Sequence, residues 1–438
     1  MTKKQLLRAI SFVLITVMML SGLTWLLRDR TTTLSTLYSE PDDTIDLFIV
    51  GSSHVNGGYI PGVLWQEYGI SAHNVYSWSQ PIWITYHYIV EGLKTQNPAV
   101  VAVDLYGLMY GNSIEQPTAI DQVNYLNSFS IDPGWNLLQM IGTVDDCGID
   151  LRNPEDFLPL THYHTRWKIL GEDMFVYDPH NDPHYLKGYS LLNRITPVQQ
   201  PAFSATEERL PPYNTAVSYL DKIVALSQSK GFDLIFILTP YSYQPNEPAI
   251  YNWIEDYAAQ HGIPFLNYCM ENGHRIGLDW NNDFSDIDHV NVSGALKLTH
   301  DLGQFIRAGN YNLRTAEEFS NREQLDLDAK KTIRTIELDA ILGQSFDQLQ
   351  TYCAANALTL LPANAGTQMM GRWTIATEDS TSPVFLVTDN TNGSLHSFVV
   401  SSVDNSYILY DPLLDKPVCT LTIETETGTM VYTDCGLS

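Results

Sequence analysis

The chain has 438 residues, 44% of them hydrophobic and 17% charged, with a formal net charge of -26. This is the composition of a folded globular protein, and the length calls for two domains or one large decorated one. The acidic excess argues against nucleic acid, whose phosphates reward Lys and Arg clusters that are absent here, and against docking on anionic lipid headgroups beyond any anchor.

From the N-terminus, Lys3, Lys4 and Arg8 precede an uncharged run from Ala9 to Leu27, long enough to span a bilayer. Basic residues before it favour an inside N-terminus and an outside remainder, although Arg28 and Arg30 weaken the asymmetry. The alternative is a cleaved signal peptide, but no Ala-x-Ala site follows and no cysteine precedes Cys147 to take a lipid. Residues 1–30 are therefore expected to form a retained single-pass anchor in the cell membrane, with the bulk extracytoplasmic and residues 31–44 a polar tether.

Beyond the tether, apolar strand-like runs alternate with helical patterns. Strands are expected at Ile45–Val50, Ser71–Val75, Ala99–Leu105, Asp233–Leu238 and Pro264–Asn267, with helices over Ile82–Lys94, Tyr213–Lys230 and Ile250–His261. Solid apolar strands separated by helices imply an α/β fold with a buried, doubly wound parallel sheet. Right-handed crossovers gather the strand ends on one edge, where open sheets bind ligands.

The first strand ends in Gly51-Ser52-Ser53-His54, a sharp turn into a helix that makes Ser53 a candidate nucleophile. A serine needs a base and an orienter for that base. Far downstream, Asp283 to Gly294 sets Asp286 three residues before His289 in a polar loop, and a helix begins near Ser293. One loop could thus hold both partners.

A nucleophile after the first strand, followed by strand–helix alternation and Asp-x-x-His before the last helix, resembles the SGNH/GDSL hydrolase superfamily over roughly residues 45–310. Gly51-Ser52-Ser53-His54 stands where the family has Gly-Asp-Ser-x, with Ser52 replacing its Asp, and Asp286-x-x-His289-x-Asn291-x-x-Gly294 matches the last block. The resemblance implies a flavodoxin-like sheet and a Ser53, His289, Asp286 triad. The middle blocks differ. The family's oxyanion glycine falls near Ser77 or Ser79, and the third strand is followed by no Gly-x-Asn-Asp. Backbone N–H groups at Ser53 and Ser79 could still donate, and Gln80 could replace the missing side-chain amide; otherwise Gln80 caps the helix after Pro81. His54 and Tyr241 are further substrate-binding candidates, as they follow strands on the same edge. Membrane-anchored relatives that acylate envelope polymers, such as alginate and D-alanylated teichoic acid, depart in the same blocks.

Residues 107–212, rich in Pro, Asp, Tyr and His, are expected to be a cap over the strand ends. In the cap, Arg166 is either a salt bridge anchoring it or a clamp on a polar substrate. His162-x-His164 and His180-x-x-x-His184, with Asp178 and Asp182, carry metal ligands on paper, but Pro179 and Pro183 forbid the helix that would align the second pair. Neither a metal nor a cofactor is expected. Trp78, Trp83, Trp135 and Trp167 are core residues or a sugar platform.

Residues 313–340 form a helical connector and 341–438 a small α+β domain, with a helix near Phe346–Asn356 and strands from Val384 to Tyr432. The five cysteines, Cys147, Cys269, Cys353, Cys419 and Cys435, include no Cys-x-x-Cys pair. Cys419 and Cys435, in consecutive strand-like segments, could pair in an oxidising compartment.

These readings converge on an extracytoplasmic serine esterase or O-acyltransferase. Its expected partners are a cell-envelope polysaccharide or small acyl ester, the membrane, and a membrane-bound acyl-donor protein. The rival is a catalytically inactive surface protein for glycan binding or envelope assembly, in which the middle blocks have decayed.

Overall fold

A computed structural model describes residues 2–27, 33–109, 160, 164–169, 184–201, 206–342, 346–356, 359–362, 368–370, 373–377, 384–389, 395–399, 406–414, 416–423 and 430–435. The chain divides into two compact units, Met1–Asp326 and Leu327–Ser438. Most of the expected cap, including His162, His180, Asp178, Asp182 and Trp135, lies outside the described residues.

The first unit is built on five parallel strands: β1 (Leu47–Gly51), β2 (Ala72–Tyr76), β3 (Val100–Asp104), β4 (Asp233–Leu238) and β5 (Phe265–Asn267). Their order is β2-β1-β3-β4-β5, the order of flavodoxin-like doubly wound sheets. Because both faces are covered, the strands have no polar side. Phe48, Val50, Val101, Val103, Phe236 and Leu238 pack in one core with Ile89 of α5 (Ile82–Gly92) and Leu220 and Ile223 of α6 (Asn214–Lys230). The alternate residues, Leu47, Ile49, Val100, Ala102, Ile235 and Ile237, are also buried. Helices α3 (Ser53–Gly58), α4 (Pro61–Tyr68) and α9 (Val292–Ala308) pack together. Between them in sequence come α7 (Glu247–His261) and α8 (Glu271–Arg275).

At the N-terminus, α1 (Lys3–Leu27, 25 residues) exposes Leu7, Phe12, Met18 and Met19, and the short α2 (Thr33–Tyr38) follows. Taken over the described side chains alone, which are interrupted along α1 at positions 21, 24 and 25, no helix is long and apolar enough to cross a membrane.

Two elements depart from the sequence reading. The connector helix begins at Arg322, in α10 (Arg322–Leu342), because Thr315 and Glu318 form a reciprocal capping box that closes a separate 3-10 turn over Ala316–Glu318. Helix α4 was not foreseen; Pro61 supplies its preset first turn and Gly69, at φ 59°, its left-handed stop.

The second unit contains α11 (Phe346–Ala355) and two four-stranded antiparallel sheets. One is ordered β10-β9-β8-β7, from β7 (Gln368–Met370), β8 (Trp373–Thr377), β9 (Val384–Asp389) and β10 (Leu395–Val399). The other is ordered β13-β12-β11-β6, from β6 (Thr359–Pro362), β11 (Ser406–Asp411), β12 (Lys416–Ile423) and β13 (Met430–Cys435). In this unit Arg334 of α10 pairs with the fully buried Asp411 of β11 at 3.1 Å.

Candidate active site

The turn after β1 owes its tightness to Gly51. A Cβ there would stand 2.6 Å from Asp104 Cβ and 2.8 Å from a Val55 methyl, so any larger residue would push β1 away from the end of β3. Ser52 then caps α3 with its side chain, and Ser53 opens the helix with its side chain almost wholly buried.

Across the sheet edge, the segment before α9 presents His289. The bridge between Phe284 and Val290 closes a loop in which the Ser285 N–H donates to the His289 carbonyl at 2.8 Å. Asp286 Oδ1 accepts the main-chain N–H groups of Asp288 (2.8 Å) and His289 (2.9 Å), so this carboxylate shapes the loop that carries it. Asn291 caps α9 through its oxygen and gives its amide N–H to the Asn282 carbonyl at 2.8 Å. The Ser242 N–H, just after β4, donates to the Ile287 carbonyl at 2.9 Å and ties the loop to the sheet.

The two segments meet at hydrogen-bond distance. His289 Nε2 lies 2.8 Å from Ser53 Oγ, and His289 Nδ1 lies 2.9 and 3.0 Å from the two Asp286 oxygens. A carboxylate can only accept, so Nδ1 carries the proton and Nε2 is left to accept the Ser53 hydroxyl hydrogen. That is the tautomer a general base requires. Asp286 is 51% exposed on its side chain and His289 21%, which leaves the pair reachable from solvent.

The other expected site residues fall into different roles. Ser79 is exposed and has φ 50°, a left-handed backbone that glycine adopts without strain. Gln80 is fully buried and its amide is engaged: Oε1 accepts from Ser77 Oγ and Nε2 donates to Thr85 Oγ1, each at 2.9 Å. It therefore braces the first turn of α5 through side chains, while Pro81 is the capping residue. Tyr241 is buried, with its hydroxyl 2.6 Å from Tyr251 and 3.1 Å from Glu247, so it offers the site ring surface rather than a hydroxyl. Arg166 falls in a 3-10 turn over His164–Ile169 that meets α1.

His54, expected among substrate-facing groups, is 2% exposed. Its Nδ1 lies 2.9 Å from Ser52 Oγ, its buried Nε2 makes no well-aligned hydrogen bond among the described residues, and its ring stands 5.1 Å from that of His289 at 29°. Burial, and after it the proximity of His289, holds its pKa well below the imidazole range, opposed by the Asp288 carbonyl.

Two neighbours were not singled out from the sequence. Tyr106, in the turn after β3, places its ring 3.9 Å from that of His54. Asp104 accepts the Thr239 N–H at 3.0 Å through Oδ2 and the Tyr106 N–H at 3.1 Å through Oδ1, tying the ends of β3 and β4. Burial pushes its carboxyl pKa up to about 6, against the bonds from Thr239 and Tyr106. A strand ending in Asp is the one cue the sequence held.

Among the described residues, no group of three or more His, Cys, Asp or Glu side chains is arranged to hold a metal ion. The chain matches no family model and no curated protein.

Proposed function

We propose that this chain is an SGNH-type serine ester hydrolase or O-acyltransferase of the cell envelope, acting on an acyl ester, with acetyl the expected group, of an envelope polysaccharide. The single observation that carries the reading is the unbroken relay from Ser53 Oγ through His289 to Asp286, at 2.8 Å and then 2.9 Å. His289 Nε2 takes the hydroxyl proton as Ser53 attacks the acyl carbonyl, and Asp286 stabilises the imidazolium that forms. When the tetrahedral intermediate collapses, His289 returns the proton to the departing alcohol oxygen, leaving an acyl-Ser53 ester. Water or a sugar hydroxyl, deprotonated by His289, then resolves that ester; the first outcome is hydrolysis and the second transfer.

The developing oxyanion needs at least two donors. Backbone N–H groups at Ser53 and Ser79 are the candidates, and the left-handed backbone of Ser79 supports placing the family's glycine there. The cell-membrane location rests on α1 and the basic residues before its apolar run, with the catalytic unit outside and a membrane-bound acyl donor as partner.

The inactive, glycan-binding alternative draws support from Gln80, whose amide is spent on Ser77 and Thr85 and so leaves the family's side-chain donor unreplaced. Intact-mass spectrometry after incubation with 4-nitrophenyl acetate decides between them. The catalytic reading expects one acetyl adduct on Ser53 that is absent in Ser53→Ala. No adduct at Ser53 under any activated ester would sink it.

A further inference from the structure

We propose that His54 positions His289: held through Nδ1 by Ser52, its ring stands against the face of the His289 imidazole and keeps it over the Ser53 hydroxyl. The inference rests on the acyl-transfer reading of Ser53 and adds a residue that touches neither substrate nor the reacting atoms.

The packing around His54 is one-sided. Tyr106 lies 3.9 Å away, centroid to centroid, and Tyr241 lies 5.7 Å away edge-on. The two tyrosines brace each other at 4.6 Å, and the Tyr241 hydroxyl is fixed by Tyr251 at 2.6 Å. Contact therefore runs from α7 through Tyr241, Tyr106 and His54 to the base. In a close-packed interior, a ring held in this way transmits its position to the next.

The hydrogen-bonding pattern makes His54 more than a filler. Ser52 Oγ is fully buried, and among the described residues its hydroxyl hydrogen has His54 Nδ1 as its acceptor. Nδ1 is then unprotonated and Nε2 carries the hydrogen. That Nε2 is buried with no well-aligned hydrogen bond among the described residues, only the Asp288 carbonyl acting on it, so part of its desolvation is uncompensated, a cost an apolar ring would avoid. The nitrogen in use is Nδ1, which anchors the ring to the nucleophile's own turn.

The electrostatics agree with this role. His289 must accept a positive charge during attack, and a second cation against its face would oppose that. Burial and His289 itself keep His54 uncharged. The other titratable groups around the pair are Asp286 and Asp288 on the loop, Tyr106 after β3, and Tyr241 and Glu247 between β4 and α7; Asp288 lies within electrostatic reach of both His289 and Glu247. The ring of His54 also keeps water from one face of His289, and water would favour the imidazolium.

The test uses the full chain in detergent, with two readouts on His54→Ala, His54→Phe and Ser52→Ala. The first is the rate of Ser53 acylation by 4-nitrophenyl acetate. The second is the pH midpoint of His289, read from its modification by diethyl pyrocarbonate and peptide mass spectrometry, which does not require turnover. His54→Ala is expected to slow acylation at least tenfold with little change in KM and to move the His289 midpoint upward as water enters. His54→Phe keeps the ring, so the midpoint stays while acylation falls by less; Ser52→Ala resembles it in rate. Wild-type rate and midpoint in His54→Ala would overturn the proposal. If His54→Ala does not fold, wild-type rates in both His54→Phe and Ser52→Ala would overturn it instead. If wild-type Ser53 is never acylated, the acyl-transfer reading fails while the His289 midpoints still decide whether His54 shields the base.

Discussion

Replacing Asp286 separates charge, tautomer and loop shape at a single position. The carboxylate lies 2.9 Å from His289 Nδ1, which puts the charge centres about 4 Å apart when His289 is protonated. Such a pair is worth about 1 kcal/mol in water and about 4 kcal/mol at an effective dielectric of 20. With the Asp286 side chain 51% exposed, a value of about 2 kcal/mol is appropriate, roughly 30-fold in the acylation rate. Asp286→Ala should lose about that much, and it should also lower Tm, because the loop's two main-chain N–H groups lose their acceptor. Asp286→Asn should behave differently. Oδ1 takes all three donors, so the asparagine oxygen must occupy its place and the amide nitrogen must replace Oδ2, which stands 3.0 Å from Nδ1. Two N–H groups would then face each other. The clash is relieved when His289 moves its proton to Nε2, the nitrogen that must accept from Ser53, and a wrong tautomer of this kind costs roughly 10⁴-fold. Asn is therefore expected to be slower than Ala while keeping the higher Tm. Burst kinetics with 4-nitrophenyl acetate, alongside thermal melts, measure both. Full activity in Asp286→Asn, or a slower Ala at unchanged Tm, would refute the reasoning.

Ser53→Ala and His289→Ala should each abolish formation of the acyl-enzyme while shifting Tm little, since the first removes one hydroxyl and the second a partly exposed ring at the end of the sheet; residual adduct in Ser53→Ala would move the nucleophile to Ser52. Gln80→Ala should lower stability by about 1 to 3 kcal/mol, because it takes the acceptor from the buried Ser77 hydroxyl and leaves Thr85 only its bond to the Pro81 carbonyl, and denaturant melts read this directly; normal stability with acylation down a hundredfold would instead make its amide an oxyanion donor. Asp104 has a folded pKa raised to about 6 from 3.8, so the folded state binds the proton more tightly and Asp104 contributes less stability as pH rises through that window. Melts of wild type and Asp104→Asn at pH 4 and pH 7 should therefore show the variant gaining relative to wild type at the higher pH, and a relative loss would contradict the assignment. Cys419 and Cys435 are register partners across β12 and β13, so alkylation mass spectrometry of protein prepared without reductant should find both blocked; two free thiols there would end the pairing.

The sheet was readable along the chain because its evidence is local. Largely apolar runs separated by helical patterns, most of them buried, announce parallel strands without reference to anything distant. Ser53 was marked by the Gly-Ser-Ser turn at the end of such a run, and Asp286 and His289 by their three-residue spacing ahead of a helix. The roles of Gln80, Tyr241 and His54 were not readable in this way. Each side chain has more than one possible partner, and the one taken is set by residues brought in from other elements. Gln80 was open to either the oxyanion or the helix, and Ser77 with Thr85 claimed its amide. Tyr241 had a hydroxyl to offer, but Tyr251, ten residues on in α7, turned it inward.

What the sequence determined by itself, then, is the α/β frame and the identity of the three residues that meet, because chain periodicity and turn chemistry act over a few residues. Only the tertiary structure decided how they meet. The 2.8 Å approach of His289 to Ser53 spans 236 positions, and the Asp286 bonds select which nitrogen faces the serine. The placing of the His54 ring against His289 involves Tyr106 and Tyr241, which arrive from the turns after two other strands. Long-range packing and buried hydrogen bonds are properties of the assembled sheet edge, where every donor must find its acceptor at once, and no stretch of the chain read alone contains them.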